Sequence, residues 1–192
     1  MLTTVAACKA WIGLESTDTV YDNEIETILK AVGDQFDNYL NRKLEAAEYT
    51  LYLDGDGKYE IYTPVYPIVS ITSIHDDPER LYGSSTAITD YILYEDFGKI
   101  ISPTYGFYRG YKNIRVIGTF GYTTSGVSAT LPDDIKKAAL DQVKFLFRKW
   151  KKNEEEIVSY STVNNSVNLI EATDILPMVK FAIDKYRNHY HG

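Results

Sequence analysis

Hydrophobic spacing changes twice along this chain, and those two changes limit the folds open to it. Up to about residue 46 apolar residues recur at steps of three and four. From Glu48 they alternate one by one, and at Pro132 the helical step returns. A helix buries a stripe and a strand buries a face, so two separated stretches must build one helical part while the stretch between them builds sheet. The expected class is α+β: two N-terminal helices plus a long C-terminal helix as a helical core, an inserted, mainly antiparallel β sub-domain, and a C-terminal arm and helix. The expected divisions are 1–46, 47–129, 130–152 and 153–192.

The helical stretches carry their own punctuation. Thr3 or Thr4 suits the cap of a short helix over Val5 to Ile12, ended by Gly13. Asp22 opens a second helix in which Ile25, Ile28, Leu29, Val32, Phe36, Tyr39 and Leu40 share a face, with Asn41 as a left-handed terminator. In the long helix Pro132 fits the first helical position. Asp133 and Asp134 then complement the positive end of the dipole, and Arg148, Lys149, Lys151 and Lys152 the negative end. Its face reads as Ile135, Ala139, Gln142, Leu146 and Trp150, with Ala138 and Val143 beside them, and Ile135, Ala139, Val143 and Leu146 are expected to pack on Ile25, Leu29, Val32 and Phe36. Leu140 and Phe147 read as lying to one side.

In the β stretch, Tyr49, Leu51 and Leu53 alternate up to Asp54-Gly-Asp-Gly57, and Tyr59 and Ile61 alternate beyond it, which predicts a hairpin. Strands are also predicted over 68–74, 91–94, 99–101 and about 110–120, with a loop from Asp76 to about Ala87. Beyond residue 152 the pattern weakens. Residues 157–173 mix Ile157, Val158, Tyr160, Val163, Val167, Leu169 and Ile170 with Ser, Asn and Thr. Such a stretch is too polar for a core of its own and too apolar for a solvated linker, and reads as an extended arm or flexible loop. Asp174 then caps a last helix in which Ile175, Val179, Ala182, Ile183 and Tyr186 share a face.

No chemistry is legible. The sequence lacks a glycine-rich phosphate loop, a nucleophile elbow, a His-Glu-x-x-His pair and a cysteine cluster. His75 beside Asp76 and Asp77 suggests a base with its orienting acid, but neighbouring strand residues point apart. Asp54-Gly-Asp-Gly57 has Lys58 where a calcium loop needs a third oxygen. No cofactor, metal or catalytic residue is expected. The single cysteine, Cys8, rules out an internal disulfide and reads as a buried hydrophobe. No apolar run approaches membrane-spanning length, so no membrane partner is expected. Net charge is −7, with 4 basic and 8 acidic side chains over 1–46, 6 and 10 over 47–129, and 10 and 9 over 130–192. An acidic body disfavours a grip on nucleic acid, although the basic end of helix 132–152 keeps a nucleic-acid-binding module as the alternative. Tyrosine, at 17 against 7 Phe and 2 Trp, suits subunit contacts, since its ring buries area while its hydroxyl stays wet.

Several stretches, taken in order, carry a resemblance. They are Leu2-Thr-Thr-Val-Ala-Ala-Cys-Lys-Ala-Trp-Ile12, the helix ending Tyr39-Leu-Asn-Arg42, Tyr62-Thr-Pro-Val-Tyr-Pro-Ile-Val-Ser-Ile-Thr-Ser-Ile74, and Val116-Ile-Gly-Thr-Phe-Gly-Tyr122 leading into Leu131-Pro-Asp-Asp-Ile-Lys-Lys-Ala-Ala-Leu140. Together they resemble the head–tail connector (adaptor, or head-completion) proteins of tailed bacteriophages. The large β insertion departs from the simplest, nearly all-helical members. The resemblance implies a structural virion protein of the neck, assembled in the host cytoplasm. It would be one subunit of a homo-oligomeric ring, commonly a dodecamer, between the portal protein and a stopper or tail protein, with double-stranded DNA passing without specific binding. It also implies that the C-terminal segment meets the portal or a neighbouring subunit. The residues expected there are Ile157, Val158, Tyr160, Val163, Val167, Leu169, Ile170, Ile175, Val179 and Tyr186. Removal of 154–192 is then expected to leave a folded protein that no longer joins the neck.

Overall fold

The computed structural model describes residues 1–124, 130–151 and 175–187. Their contacts divide the chain into two compact units, Met1–Asn41 with Leu131–His189, and Arg42–Thr130.

The first unit is helical. Helix α1 (Val5–Ile12) starts where the Thr4 hydroxyl accepts from the Ala7 amide at 3.1 Å, and ends on Gly13 at φ 93°. Helix α2 (Asp22–Leu40) is preceded by Tyr21 in the capping position, so Asp22 is its first residue and not its cap. Asn41 ends it in the left-handed conformation, φ 52°, which Asn tolerates better than most residues. Helix α3 (Asp133–Lys151) packs against α1, against α2, and against a short helix α4 (Pro177–Ile183), which begins on its proline and runs into a 3₁₀ turn at Asp184–Tyr186.

From α2 the core takes Ile25, Leu29, Val32, Phe36 and Leu40, all buried. From α3 it takes Ile135, Ala138, Ala139, Val143 and Phe147. The buried face of α3 keeps Ile135, Ala138, Ala139, Gln142 and Val143, as expected, but at its C-terminal end it is rotated from the one expected. Phe147 is inside, Leu146 only half-buried, and Trp150 46% exposed. The reason is an aromatic cluster at the helix end. Tyr21 meets Phe147 edge-on at 5.5 Å between ring centroids and Trp150 at 6.2 Å, so Phe147 fills the interior and Trp150 lies over it. At the other side of α1, the buried Lys9 ammonium pairs with Asp22 at 2.9 Å and donates to the Ser16 carbonyl at 3.0 Å.

The second unit holds two three-stranded antiparallel sheets. One has the order β1 (Ala47–Gly55), β6 (Gly110–Phe120), β3 (Ile68–Asp76). The other has β2 (Glu60–Tyr62), β5 (Lys99–Ile101), β4 (Ile92–Tyr94). The expected hairpin is not formed: the turn at Asp54–Gly57 joins strands of different sheets. β1 instead pairs with β6, the longest strand, whose alternation offers a partner along nearly its whole length. Inward residues of both sheets make one core, with Ile61, Ile100, Ile74, Ile114, Val116 and Phe120 at its centre. Gly118 sits in the inward row because a side chain there would meet the Ser70 carbonyl at 2.3 Å, where β3 bulges past β6.

The chain enters and leaves this unit at one place. Tyr122 donates to the Leu44 carbonyl at 2.7 Å and accepts from the Ala46 amide at 2.9 Å. Arg42, almost fully buried, lies 3.6 Å over the Tyr66 ring and 5.4 Å from that of Tyr122, and donates to the Tyr66 carbonyl. Farther along, Thr130 donates to the Thr123 carbonyl at 3.0 Å and to its hydroxyl at 3.0 Å.

Leu29→Ala removes a fully buried side chain and should cost about 2–5 kcal/mol. Leu146→Ala, at a half-buried position, should cost distinctly less. Urea unfolding of both variants checks the rotation of the α3 face.

Candidate functional site

Ten residues were expected at a partner interface. Ile157, Val158, Tyr160, Val163, Val167, Leu169 and Ile170 lie outside the described residues, as does Asp174, and the capping position of α4 expected for Asp174 is held by Leu176. Ile175, Val179 and Tyr186 are described, and all three are engaged within the helical unit. Ile175, Val179 and Ile183 are buried. The Leu176 amide donates to the buried Gln142 side chain at 3.0 Å. The 3₁₀ turn is held by Asp134, which pairs with Lys185 at 2.6 Å and accepts from the Tyr186 hydroxyl at 2.8 Å, while the Tyr39 hydroxyl donates to Asp184 at 3.0 Å. Removing 154–192 would therefore strip apolar cover from α3. That deletion is expected to cost stability as well as any contact the segment makes.

What α4 turns outward is different. Phe181 is 89% exposed and Met178 63%, one helical turn apart, with Lys180, Lys185 and Arg187 nearby. Sequence reasoning picked out the inward face of this helix because periodicity marks what must be covered. It passed over the outward apolar pair, although an exposed Phe among lysines is visible in the sequence once the inward face is known.

In the sheet unit, the candidate base His75 is buried. Its Nδ1 lies 3.1 Å from the Gly83 carbonyl and 3.4 Å from the Thr86 hydroxyl. Asp76 turns elsewhere, accepting from the Tyr108 amide at 2.8 Å and from the Asn113 side-chain amide at 3.0 Å. Burial pushes the Asp76 carboxyl above the usual range, and the neighbouring Asp77 charge adds to this. Asp77 is also buried, but its carboxylate accepts from the amides of Tyr82, Glu79 and Leu81, and those bonds outweigh burial and hold it below the usual range. These carboxylates organise loops instead of a reaction. Asn113, 1% exposed, completes the node by accepting from the Gly55 amide at 3.0 Å and donating to the Tyr108 carbonyl at 2.8 Å. Beside the node an open cleft of about 680 Å³ is lined by Asp76, Asp77, Glu79, Leu81, Tyr105 and Tyr108 among others, with no basic residue in its wall.

The Asp54-Gly-Asp-Gly57 carboxylates are spent locally. Asp54 accepts from the Lys112 amide at 2.7 Å, and Asp56 pairs with Lys58 at 2.7 Å. The basic end of α3 is partly engaged too. Lys144 donates to the Trp11 carbonyl at 2.9 Å, and the Lys151 ammonium lies 4.8 Å over the Tyr21 ring. Lys152 lies outside the described residues. No helix among the described residues is long and apolar enough to cross a membrane.

The model of the family described as "Head completion protein" matches residues 1–189. The chain belongs to that family. A head completion protein is a structural component and not an enzyme, in keeping with carboxylates bound up in loop geometry. Solved structures share the fold. A chain from the virion of a native gene transfer agent particle is similar at TM-score 0.61 and 15% identity, covering 97% of this chain and 90% of that one. A chain from the neck of an empty particle of this kind, computed with C6 symmetry, gives TM-score 0.60 at 14% identity, covering 97% and 90%. One from the neck of a native particle, computed with C12 symmetry, gives 0.59 at 14%, covering 97% and 91%. No curated protein matches the chain by sequence.

Two outcomes follow from the site geometry. Asn113→Ala leaves the Gly55 amide, the Tyr108 carbonyl and one Asp76 oxygen short of a partner, and should cost about 3 kcal/mol or more in urea unfolding. At Asp134 burial opposes the charge, but Lys185 and Tyr186 prevail and hold the carboxyl below the usual range. A carboxyl depressed in the folded state adds stability above its unfolded pKa and loses it as pH falls through the folded one. Asp134→Asn should therefore be destabilising at pH ~7 and indistinguishable from wild type once pH falls well below ~4, by unfolding at each pH.

Proposed function

We propose that this chain is a ring subunit in the neck of a tailed, phage-like particle, seated between the portal protein and the stopper or tail protein and surrounding the path of double-stranded DNA. The observation that carries the reading is the family match along residues 1–189. Likeness in fold to neck chains whose reconstructions use sixfold or twelvefold symmetry supports repetition of the subunit about an axis, with twelve copies as the expected number. The excess of acidic over basic side chains through residue 129 suits a channel wall that repels DNA phosphates and lets the polymer slide. Exposed tyrosines such as Tyr52, Tyr59, Tyr105, Tyr108 and Tyr111 suit contacts between large partners.

The portal-facing element in this reading is the segment carrying Ile157, Val158, Tyr160, Val163, Val167, Leu169 and Ile170. Its composition fits a segment that adds to a partner's surface or sheet edge. The neighbouring subunit is a second surface for it.

The test keeps α4 in place. Ile157, Tyr160, Val163, Leu169 and Ile170 are replaced together by Ser in the full chain. The variant should purify as a folded protein with an unchanged unfolding midpoint, yet fail to join portal-containing heads, which would fill with DNA and remain tailless. A variant that enters the neck at wild-type levels would remove the segment from the portal interface. A wild-type chain absent from the neck would overturn the reading as a whole.

A further inference from the structure

Two surfaces of this chain, one in each unit, complement each other in polarity and charge. The first is a knob. On α4 the apolar pair Met178 and Phe181 stands out into solvent, and Phe181 is the most exposed large apolar residue among those described. Lys180, Lys185 and Arg187 stand on the same short segment, against the acid Asp184 on it and Asp134 of α3, which is paired with Lys185. That is a local excess of positive charge on a chain whose net charge is −7.

The second is the cleft beside the polar node. Leu81, 76% exposed, and the exposed rings of Tyr105 and Tyr108 give it apolar walls, while Asp76, Asp77 and Glu79 make its charge wholly negative. The loop that forms it is fixed by the three amide bonds to the Asp77 carboxylate, so the cleft exists before anything enters it. Its volume accommodates an aromatic side chain and a neighbouring methionine. Negative walls repel nucleic-acid phosphate and attract a basic-rimmed apolar anchor.

We propose that copies of this chain join head to tail, with Phe181 and Met178 of one copy seated in the Asp77–Leu81–Tyr108 cleft of the next, and Lys180 facing Glu79 across the rim. The contact uses two different faces, so it is heterologous, and a heterologous contact closes into a ring when its rotation divides a full turn. The inference deepens the ring reading above and rests on it, since it names the surfaces through which neighbouring subunits would meet.

Paired cysteines in the purified full-length chain test it. Phe181→Cys and Leu81→Cys both alter exposed side chains, so neither opens a cavity. The native Cys8 is buried and its thiol is pushed up to about 11, which keeps it out of the exchange. Under mild oxidation the doubly substituted chain should give a ladder of linked species. An equimolar mixture of the two single variants should stop at dimers, and each single variant alone should give none. Adding Lys180→Glu should lower ladder formation roughly tenfold, and adding Glu79→Lys to that should restore it. The contact is overturned by any of three results: no ladder at high protein concentration, Phe181→Cys linking to itself, or a ladder indifferent to the charge exchange. These results are read without heads or portal, so the contact can fail while neck incorporation stands.

Discussion

Everything in this fold depends on a stem. The helical unit is assembled from stretches on either side of the whole Arg42–Thr130 unit, so α2 and α3 can meet only after a long excursion of chain. Closing so long a loop carries an entropic cost, although it grows slowly with length. The β unit meets that cost with contacts of its own. The Tyr122 backbone bonds to Leu44 and Ala46 on both its donor and acceptor sides, the Arg42 guanidinium lies against the Tyr66 and Tyr122 rings, and Thr130 returns to Thr123. The entry and exit strands are thus fixed side by side by bonds internal to the β unit. The helical stretches are left with a short effective loop to close.

Caps and periodicity were legible because they are local. Thr4, Gly13 and Asn41 hold their positions for reasons confined to one turn of backbone, and the structure puts them there. Partner choice was not local, and there the sequence misled. Asp54-Gly-Asp-Gly57 has the residues of a tight hairpin, yet β1 pairs with β6 at a separation no turn signal encodes. The exchange of Phe147 for Trp150 in the core has a similar cause. The two are a turn apart, either satisfies the helical period, and the choice falls to Tyr21 at the far end of another helix.

The polar node shows why His75, Asp76 and Asp77 looked like chemistry. Their residue types are those of an acid–base site, but each is drawn to a different backbone target, Gly83 for one, Tyr108 for the next, and Glu79 to Tyr82 for the third. Buried carboxylates used this way hold loops in one shape, and a protein whose work is to present surfaces needs loops of one shape. On α4, likewise, the face legible from spacing is the one already covered. The informative face is the other, where an apolar pair breaks an otherwise charged exterior.

Cys8 carries a consequence for endurance. A protein kept in air meets peroxide and oxygen for as long as it is stored. Oxidation acts on exposed thiolate, and this chain's one sulfhydryl is both shielded by the helical core and held protonated well beyond neutral pH. Disulfide cross-linking through the native thiol is therefore closed to this subunit, however long it is stored.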